Sequence, residues 1–172
     1  IGDDWPFPIP LVKGAQGWHF DTEAGLEEIY LRRIGNNELY AISVASAYAE
    51  AQEEYASVDR NGDGVREYAQ RLASSEGQRD GLYWPVEEGE RESPMGPLVA
   101  DAVAKGYARS DDGEPVPYHG YFYRMLSGQG ASAPGGAKSY VADGRMTGGY
   151  ALLAYPAEYG NSGIMTFMIN QQ

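Results

Sequence analysis

The stretch Asp59-Arg60-Asn61-Gly62-Asp63-Gly64-Val65-Arg66-Glu67 constrains this chain more than any other, because it follows a run of good helix formers and stops it. Oxygen-bearing side chains recur at alternate positions, and glycines break the backbone between them. Such spacing lets a tightly curled loop aim Asp59, Asn61 and Asp63 at one point, while Gly64 takes the sharp turn that a side chain would hinder. A hard cation that prefers oxygen ligands is the natural occupant, and calcium is the expected one. Against the twelve-residue calcium loop, residues 59–70, Val65 would offer its backbone carbonyl and Glu67 would stand at position nine. Position twelve, where the pattern has a bidentate Glu, is Gln70. Either Glu67 or a carboxylate from outside, such as Glu53 or Glu54, must then complete the site. The bland alternative is a solvated turn, since Asn-Gly and Asp-Gly are ordinary turn residues.

The chain's 172 residues suffice for one domain with a core, or one domain plus arms. Its net charge of −12 repels phosphate backbones and argues against nucleic-acid partners and against anionic lipid. Cysteine is absent, which removes thiol catalysis, cysteine-ligated zinc and disulfides. No apolar run approaches the length of a transmembrane helix. A start at Ile1 is expected to reflect a processed or excised chain, and the 14 tyrosines and 23 glycines lean toward a periplasmic or extracellular location after signal-peptide removal.

Residues 1–20 read as an extended arm or hairpin, because Pro6, Pro8 and Pro10 cannot donate to a ladder and Lys13-Gly14-Ala15-Gln16-Gly17 is turn-like. Residues 21–172 read as a single α+β domain. Asp21-Thr22 predicts an N-cap, with a helix over 22–34 ending at Gly35. A second helix over about 38–56 is predicted from Leu39, Ile42, Ala45, Ala49 and Tyr55, opposite Glu50, Glu53 and Glu54. Residues 65–72 are expected to resume a short helix. Gly81-Leu82-Tyr83-Trp84-Pro85 reads as an aromatic plug over the core, and Pro97 opens a third helix over 98–105 with Gly106 at its end. Strands are predicted at 118–127, 150–156 and 163–170. The last has large residues on both faces, which predicts a central or covered strand whose free edge the arm or a second copy would close. The long connection 128–145 is expected to be functional or mobile.

The run Asp21-Thr-Glu-Ala-Gly25, Arg33-Ile-Gly-Asn-Asn-Glu38, Tyr55-Ala and 59–68 resembles an uncharacterised family of secreted bacterial proteins, domain-of-unknown-function family 2950. Asp80-Gly-Leu-Tyr-Trp-Pro85, Ser93-Pro-Met-Gly-Pro97 and Pro117-Tyr-His-Gly-Tyr121 carry the same resemblance over nearly the whole chain. A looser likeness is to the globular regions of type IV pilins and pseudopilins, on Asn37-Glu38, Ala51-Gln-Glu-Glu-Tyr55 and the stretch from Gly149 to Phe167. That likeness implies an antiparallel meander of three to four strands packed against one main helix, with short helices and long loops. The long apolar N-terminal helix through which pilins polymerise is missing.

No catalytic residue is assigned. His19 and His119 stand beside aromatics and read as packed or strand-surface residues. The carboxylate pairs Asp3-Asp4, Glu27-Glu28, Glu53-Glu54, Glu87-Glu88 and Asp111-Asp112 read as solvated surface, although glycoside hydrolysis would need two such groups. The expected function is a non-enzymatic extracytoplasmic structural or assembly module, pilin-like, with a calcium-stabilised loop. Its partners would be further copies added at a strand edge, or other envelope or extracellular proteins. The alternative is a carbohydrate- or peptide-binding module using the sheet tyrosines, Tyr121 and Tyr123 above all. A hydrolase comes third.

Overall fold

Asp21 opens the helix that dominates the molecule. Its carboxylate accepts from Ala24 N at 3.1 Å, as an N-cap should, and α1 (Thr22–Ala56) begins at the next residue. A computed structural model describes residues 6–104 and 116–171. In it α1 runs unbroken for 35 residues, through the Gly35-Asn36-Asn37 stretch where the sequence predicts a break. Tertiary contacts override the local signal there. Asn37 Nδ2 donates to Ser162 O at 2.8 Å, and Glu38 Oε1 accepts from Ile164 N and Met165 N, both at 3.0 Å. Polar residues that would cap two helices are instead spent on a distant loop. Ser57 ends α1, with its hydroxyl on Glu54 O at 2.7 Å.

The second half of α1 lies on a three-stranded antiparallel sheet of β3 (Tyr121–Leu126), β8 (Ala151–Pro156) and β9 (Phe167–Asn170), in the order β3-β8-β9. The intervening chain forms two small hairpins, β4 (Gly128–Gln129) with β5 (Lys138–Ser139) and β6 (Val141–Ala142) with β7 (Arg145–Met146). Asp143 and Gly144, with φ of 52° and 78°, make the two-residue turn of the second hairpin, the role for which Asp-Gly is suited. The long connection is therefore built structure, with Tyr140 and Met146 buried in the core. The fold is mixed α and β, with one long helix and small antiparallel sheets.

Strand β9 corrects a second expectation. Among the described residues it pairs with β8 alone, at the edge of a sheet in which β8 is central. It is also shorter than predicted, because the amides of Ile164 and Met165 are taken by Glu38 and Tyr121 Oη donates to Met165 O at 2.9 Å. Groups bound to side chains cannot join a ladder. Among the described residues the arm does not pair with this edge. Its hairpin, β1 (Leu11–Gly14) with β2 (Gly17–Phe20), pairs only with itself. It is tied to the start of α1 by Asp21 N donating to Pro10 O at 2.9 Å and by Arg32 Nη1 donating to Pro6 O at 2.7 Å. A Cβ on Gly25 would stand 2.7 Å from Ile9, so this contact requires a residue without a side chain. Trp5, at the start of the predicted arm, lies outside the described residues.

Residues 65–72 are not helical, and Tyr68 makes an isolated bridge. Gln52, buried inside α1, imitates a strand toward them: its Oε1 accepts from Ala69 N at 2.8 Å and its Nε2 donates to Ala69 O at 3.0 Å. Tyr68 N donates to Met146 O at 2.8 Å, and Ala73 bridges to Tyr83 in parallel. The plug is present, with Leu82 and Trp84 buried, and leads into α2 (Gly96–Ala104). Gly106, the predicted end of that helix, lies outside the described residues. Tyrosines form much of the core, and their hydroxyls are served: Tyr48 Oη on Ala151 O at 3.3 Å, Tyr55 Oη on Arg79 O at 3.0 Å, Tyr140 Oη on Gln129 at 2.8 Å. Burial pushes the Tyr48 hydroxyl up to about 12, and Tyr121 likewise to about 12.

Candidate metal centre

After Ser57 the chain curls tightly, with Gly62 and Gly64 at φ of 75° and 85°, a region that side chains avoid. Asp59 organises the curl. One of its oxygens accepts from Gly62 N and the other from Gly64 N, both at 2.8 Å. The Gly64 bond above all, with Gly62 adding to it, holds this carboxyl below its ordinary value. Asp63 Oδ1 accepts from Val65 N at 2.9 Å, and Asn61 Oδ1 from Asp63 N at 3.2 Å. Asn61 Nδ2 meanwhile donates to Asp63 Oδ2 at 3.1 Å and to Glu67 Oε1 at 3.4 Å. The side chains of Asn61, Asp63 and Glu67 are thus brought to one place, with an amide nitrogen between two carboxylates. Rotating that amide would replace the donor by an oxygen facing the same point.

The donor set fits a hard cation in kind, being all oxygen, but it is sparse. Among the described residues no three His, Cys, Asp or Glu side chains gather closely enough to hold a metal by themselves. The Asn61 oxygen and the Val65 carbonyl would have to contribute. The outside carboxylates are committed elsewhere: Glu54 pairs with Arg91 at 2.8 Å, and Glu53 lies near Tyr150, whose pKa it helps to raise after burial. Gln70, at position twelve, donates to Gly144 O at 2.6 Å and belongs to the β6–β7 turn. Of the candidates for completing the site, Glu67 is the one within reach of Asn61 and Asp63.

Arg145 is the participant that sequence reasoning missed. Its Nη2 lies 2.7 Å from Asp63 Oδ2, supplying a positive charge where a cation would otherwise act. Only the fold brings β7 beside the loop. Arg60, in the loop itself, turns back to α1: its Nε donates to Tyr55 O at 3.1 Å and its guanidinium lies 4.5 Å from the Tyr55 ring centroid. The loop therefore joins the end of α1 to the β6–β7 hairpin, and any ion held in it would clamp these two elements together.

The other candidate residues lie apart from this loop. The His119 ring stacks on Tyr40 with centroids 3.6 Å apart and planes at 7°, and His19 sits on the exposed β2. Glu28 pairs with Arg32 at 2.7 Å. Asp3, Asp4, Asp111 and Asp112 lie outside the described residues. Tyr121 is fully buried and Tyr123 partly so, both on the sheet face toward α1, so neither forms a stacking platform. On the opposite face Phe122 and Tyr155 meet with ring centroids 5.7 Å apart, and Tyr155 is 39% exposed.

A family model described as "Protein of unknown function (DUF2950)" matches residues 1–172. No curated protein and no solved structure matches the chain.

Proposed function

Because the chain belongs to the DUF2950 family, whose description names no activity, we propose from its geometry that it is a non-enzymatic structural or assembly module working outside the cytoplasm, with a loop that calcium stabilises. One observation carries the assembly part. Around the first half of α1 and the hairpin docked on it, Leu26, Ile29, Tyr30 and Leu31 are 44 to 59% exposed, and Trp18 and Phe20 are 66% and 56% exposed. Single exposed apolar residues are ordinary, whereas a run of them on two adjoining elements marks a surface made to be covered. Among the described residues β9 pairs with β8 alone, which is compatible with the addition of a further strand beside Phe167–Ile169. The partners are other copies of the chain, or envelope and extracellular proteins with a matching surface.

The loop's chemistry supports the location. With Gln70 at position twelve the loop lacks the strongest ligand of the pattern, so calcium held there would be held weakly. Weak calcium sites fill where calcium is millimolar, as outside cells. A second reading, a carbohydrate- or peptide-binding module, is favoured by the Phe122–Tyr155 pair on the outer sheet face. Sedimentation velocity over a range of concentrations, with calcium and with chelator, separates the two. The assembly reading expects a mass that grows with concentration beyond 18.7 kDa. A monomer at every concentration in both conditions sinks it.

A further inference from the structure

Asn61-Gly62 sets a side-chain amide beside a main-chain nitrogen whose own residue has no side chain to screen it. Residues 61–64 are all exposed, and a Cβ on Gly62 would meet nothing within 4 Å, so water reaches this junction freely. Such a pair can react with itself. The Gly62 nitrogen attacks Asn61 Cγ, the new N–Cγ bond closes a five-membered imide, and the Cγ–Nδ2 bond breaks. Ammonia leaves with the proton that Gly62 N gave up. Water then opens the imide at Cγ, giving aspartate, or at the main-chain carbon, giving isoaspartate. The sum takes up one water, releases one ammonia and needs no other reactant. In the folded loop both reacting groups are held back. Gly62 N donates to Asp59 Oδ1 at 2.8 Å, and removing that proton would leave a negative nitrogen facing a carboxylate. The Asn61 side chain is tied forward to residues beyond Gly62. Its Oδ1 accepts from Asp63 N at 3.2 Å, and its Nδ2 donates to Asp63 Oδ2 at 3.1 Å and to Glu67 Oε1 at 3.4 Å.

We propose that Asn61 is a site of spontaneous deamidation, that Asp59 is the restraint that sets its rate, and that the reaction loosens the loop. The second oxygen of Asp59 accepts from Gly64 N at 2.8 Å, and Gly64 stands to Asp63 as Gly62 stands to Asn61. One carboxylate therefore covers both glycine amides from which an imide could form. The consequence for the loop follows from what Asn61 does now. Its Nδ2 donates to Asp63 and Glu67, and either product puts a carboxylate oxygen in place of that donor, so attraction turns into repulsion. Arg145 already serves Asp63 Oδ2 at 2.7 Å. Isoaspartate also lengthens the main chain between residues 61 and 62, which moves Gly62 N relative to Asp59. Because the loop joins the end of α1 to the β6–β7 hairpin, loosening it weakens that junction, and water does not restore the amide. Every group involved belongs to the chain, so the inference stands whether or not the loop holds calcium. Asn161 supplies an internal control: the nitrogen that follows it, Ser162 N, donates to Glu158 O at 2.8 Å and owes nothing to Asp59.

The test is incubation of the full chain in chelator at mildly alkaline pH, folded or unfolded in urea, with peptide mapping that resolves asparagine, aspartate and isoaspartate at residue 61. Folding should slow the wild-type reaction about tenfold or more, the worth in rate of one hydrogen bond to a charged group. Folded Asp59→Ala should recover most of that factor at Asn61 and leave Asn161 at its wild-type rate. Asp59→Asn, which keeps the shape of the side chain and loses its charge, should fall between the two. Asn61→Asp stands for the aspartate product and should melt below the wild type in chelator. A folded wild type that reacts at the urea rate would overturn the proposal, as would either Asp59 variant reacting no faster than the wild type. So would Asn161 accelerating in step with Asn61, which would mean that the substitution opens the chain generally. Asn61→Asp melting at or above the wild type would overturn the loosening.

Discussion

At Gln52 a helical side chain stands in for a β-strand, serving both main-chain groups of Ala69 and donating to Tyr48 Oη at 3.0 Å. Gln52→Leu would fill similar space but leave these groups unpaired in the core. At about 1–3 kcal/mol for each orphaned group, urea unfolding should show a loss of roughly 3 kcal/mol; a loss below about 1 kcal/mol would mean that water replaces the amide. Nothing in the sequence announces this role, because a helical glutamine between Ala51 and Glu53 reads as a solvent-facing residue. The loop residues were legible, since their alternation needs no tertiary information. Their partner Arg145 was not, being brought there by the β6–β7 turn. Saturating calcium should raise the melting temperature, by about 2.7 kcal/mol of stability at roughly 100-fold excess over Kd. Asp63→Ala should lose that gain, whereas Arg145→Ala, which frees Asp63 from its ion pair, should tighten calcium binding. A melting curve indifferent to chelator would remove calcium from the account. Asp59 adds a pH dependence. Its folded carboxyl titrates below its unfolded value of about 3.9, so the stability it contributes is complete above that value and is lost as the pH falls through the folded one. Asp59→Asn should therefore show a shallower acid decline in melting temperature than the wild type.

Among the elements, the two that differ most from expectation were misread for the same reason. Gly35 with two following asparagines is a good local stop signal, and residues 163–170 have a good local strand pattern. In the fold, Asn37 and Glu38 reach from α1 to the main chain around Ser162–Met165, which keeps the helix going and takes that segment out of the ladder. A single tertiary junction overrides both patterns, and it joins residues about 125 apart in sequence. The N-cap at Asp21, the hairpin, α2 and the two longer strands were legible because capping, turn chemistry and alternation are local. The unbroken helix makes a prediction whose sign matters. A Cβ on Gly35 would meet nothing within 4 Å. Gly35→Ala should then stabilise the protein by about 0.5–1 kcal/mol in thermal or urea unfolding, the ordinary gain inside a helix. Were Gly35 a left-handed stop between two helices, the same change would destabilise, so a loss of stability would overturn the single helix.

For the molecule as a whole, surface and charge pull in opposite directions. Leu26, Ile29, Trp18 and Phe20, on the first half of α1 and its hairpin, are among the exposed apolar residues. An apolar surface of this kind favours association, while a net charge of −12 opposes it by repulsion between copies. Repulsion between exposed charges is screened by salt, and burial of apolar surface is not. Association measured by sedimentation should therefore strengthen from low salt to about 0.15 M, where the Debye length is about 8 Å. Two variants locate the contact. Leu26→Lys places a charge in the apolar surface of α1, and Met168→Lys, at a residue 68% exposed, blunts the β9 edge as lysines do on natural edge strands. If α1 and its hairpin make the contact, Leu26→Lys gives monomers and Met168→Lys leaves the assembly intact; if strand addition makes it, the outcomes exchange. Association that weakens with salt, or that survives both substitutions together, would show that neither surface holds copies together and would leave the assembly reading without a physical basis.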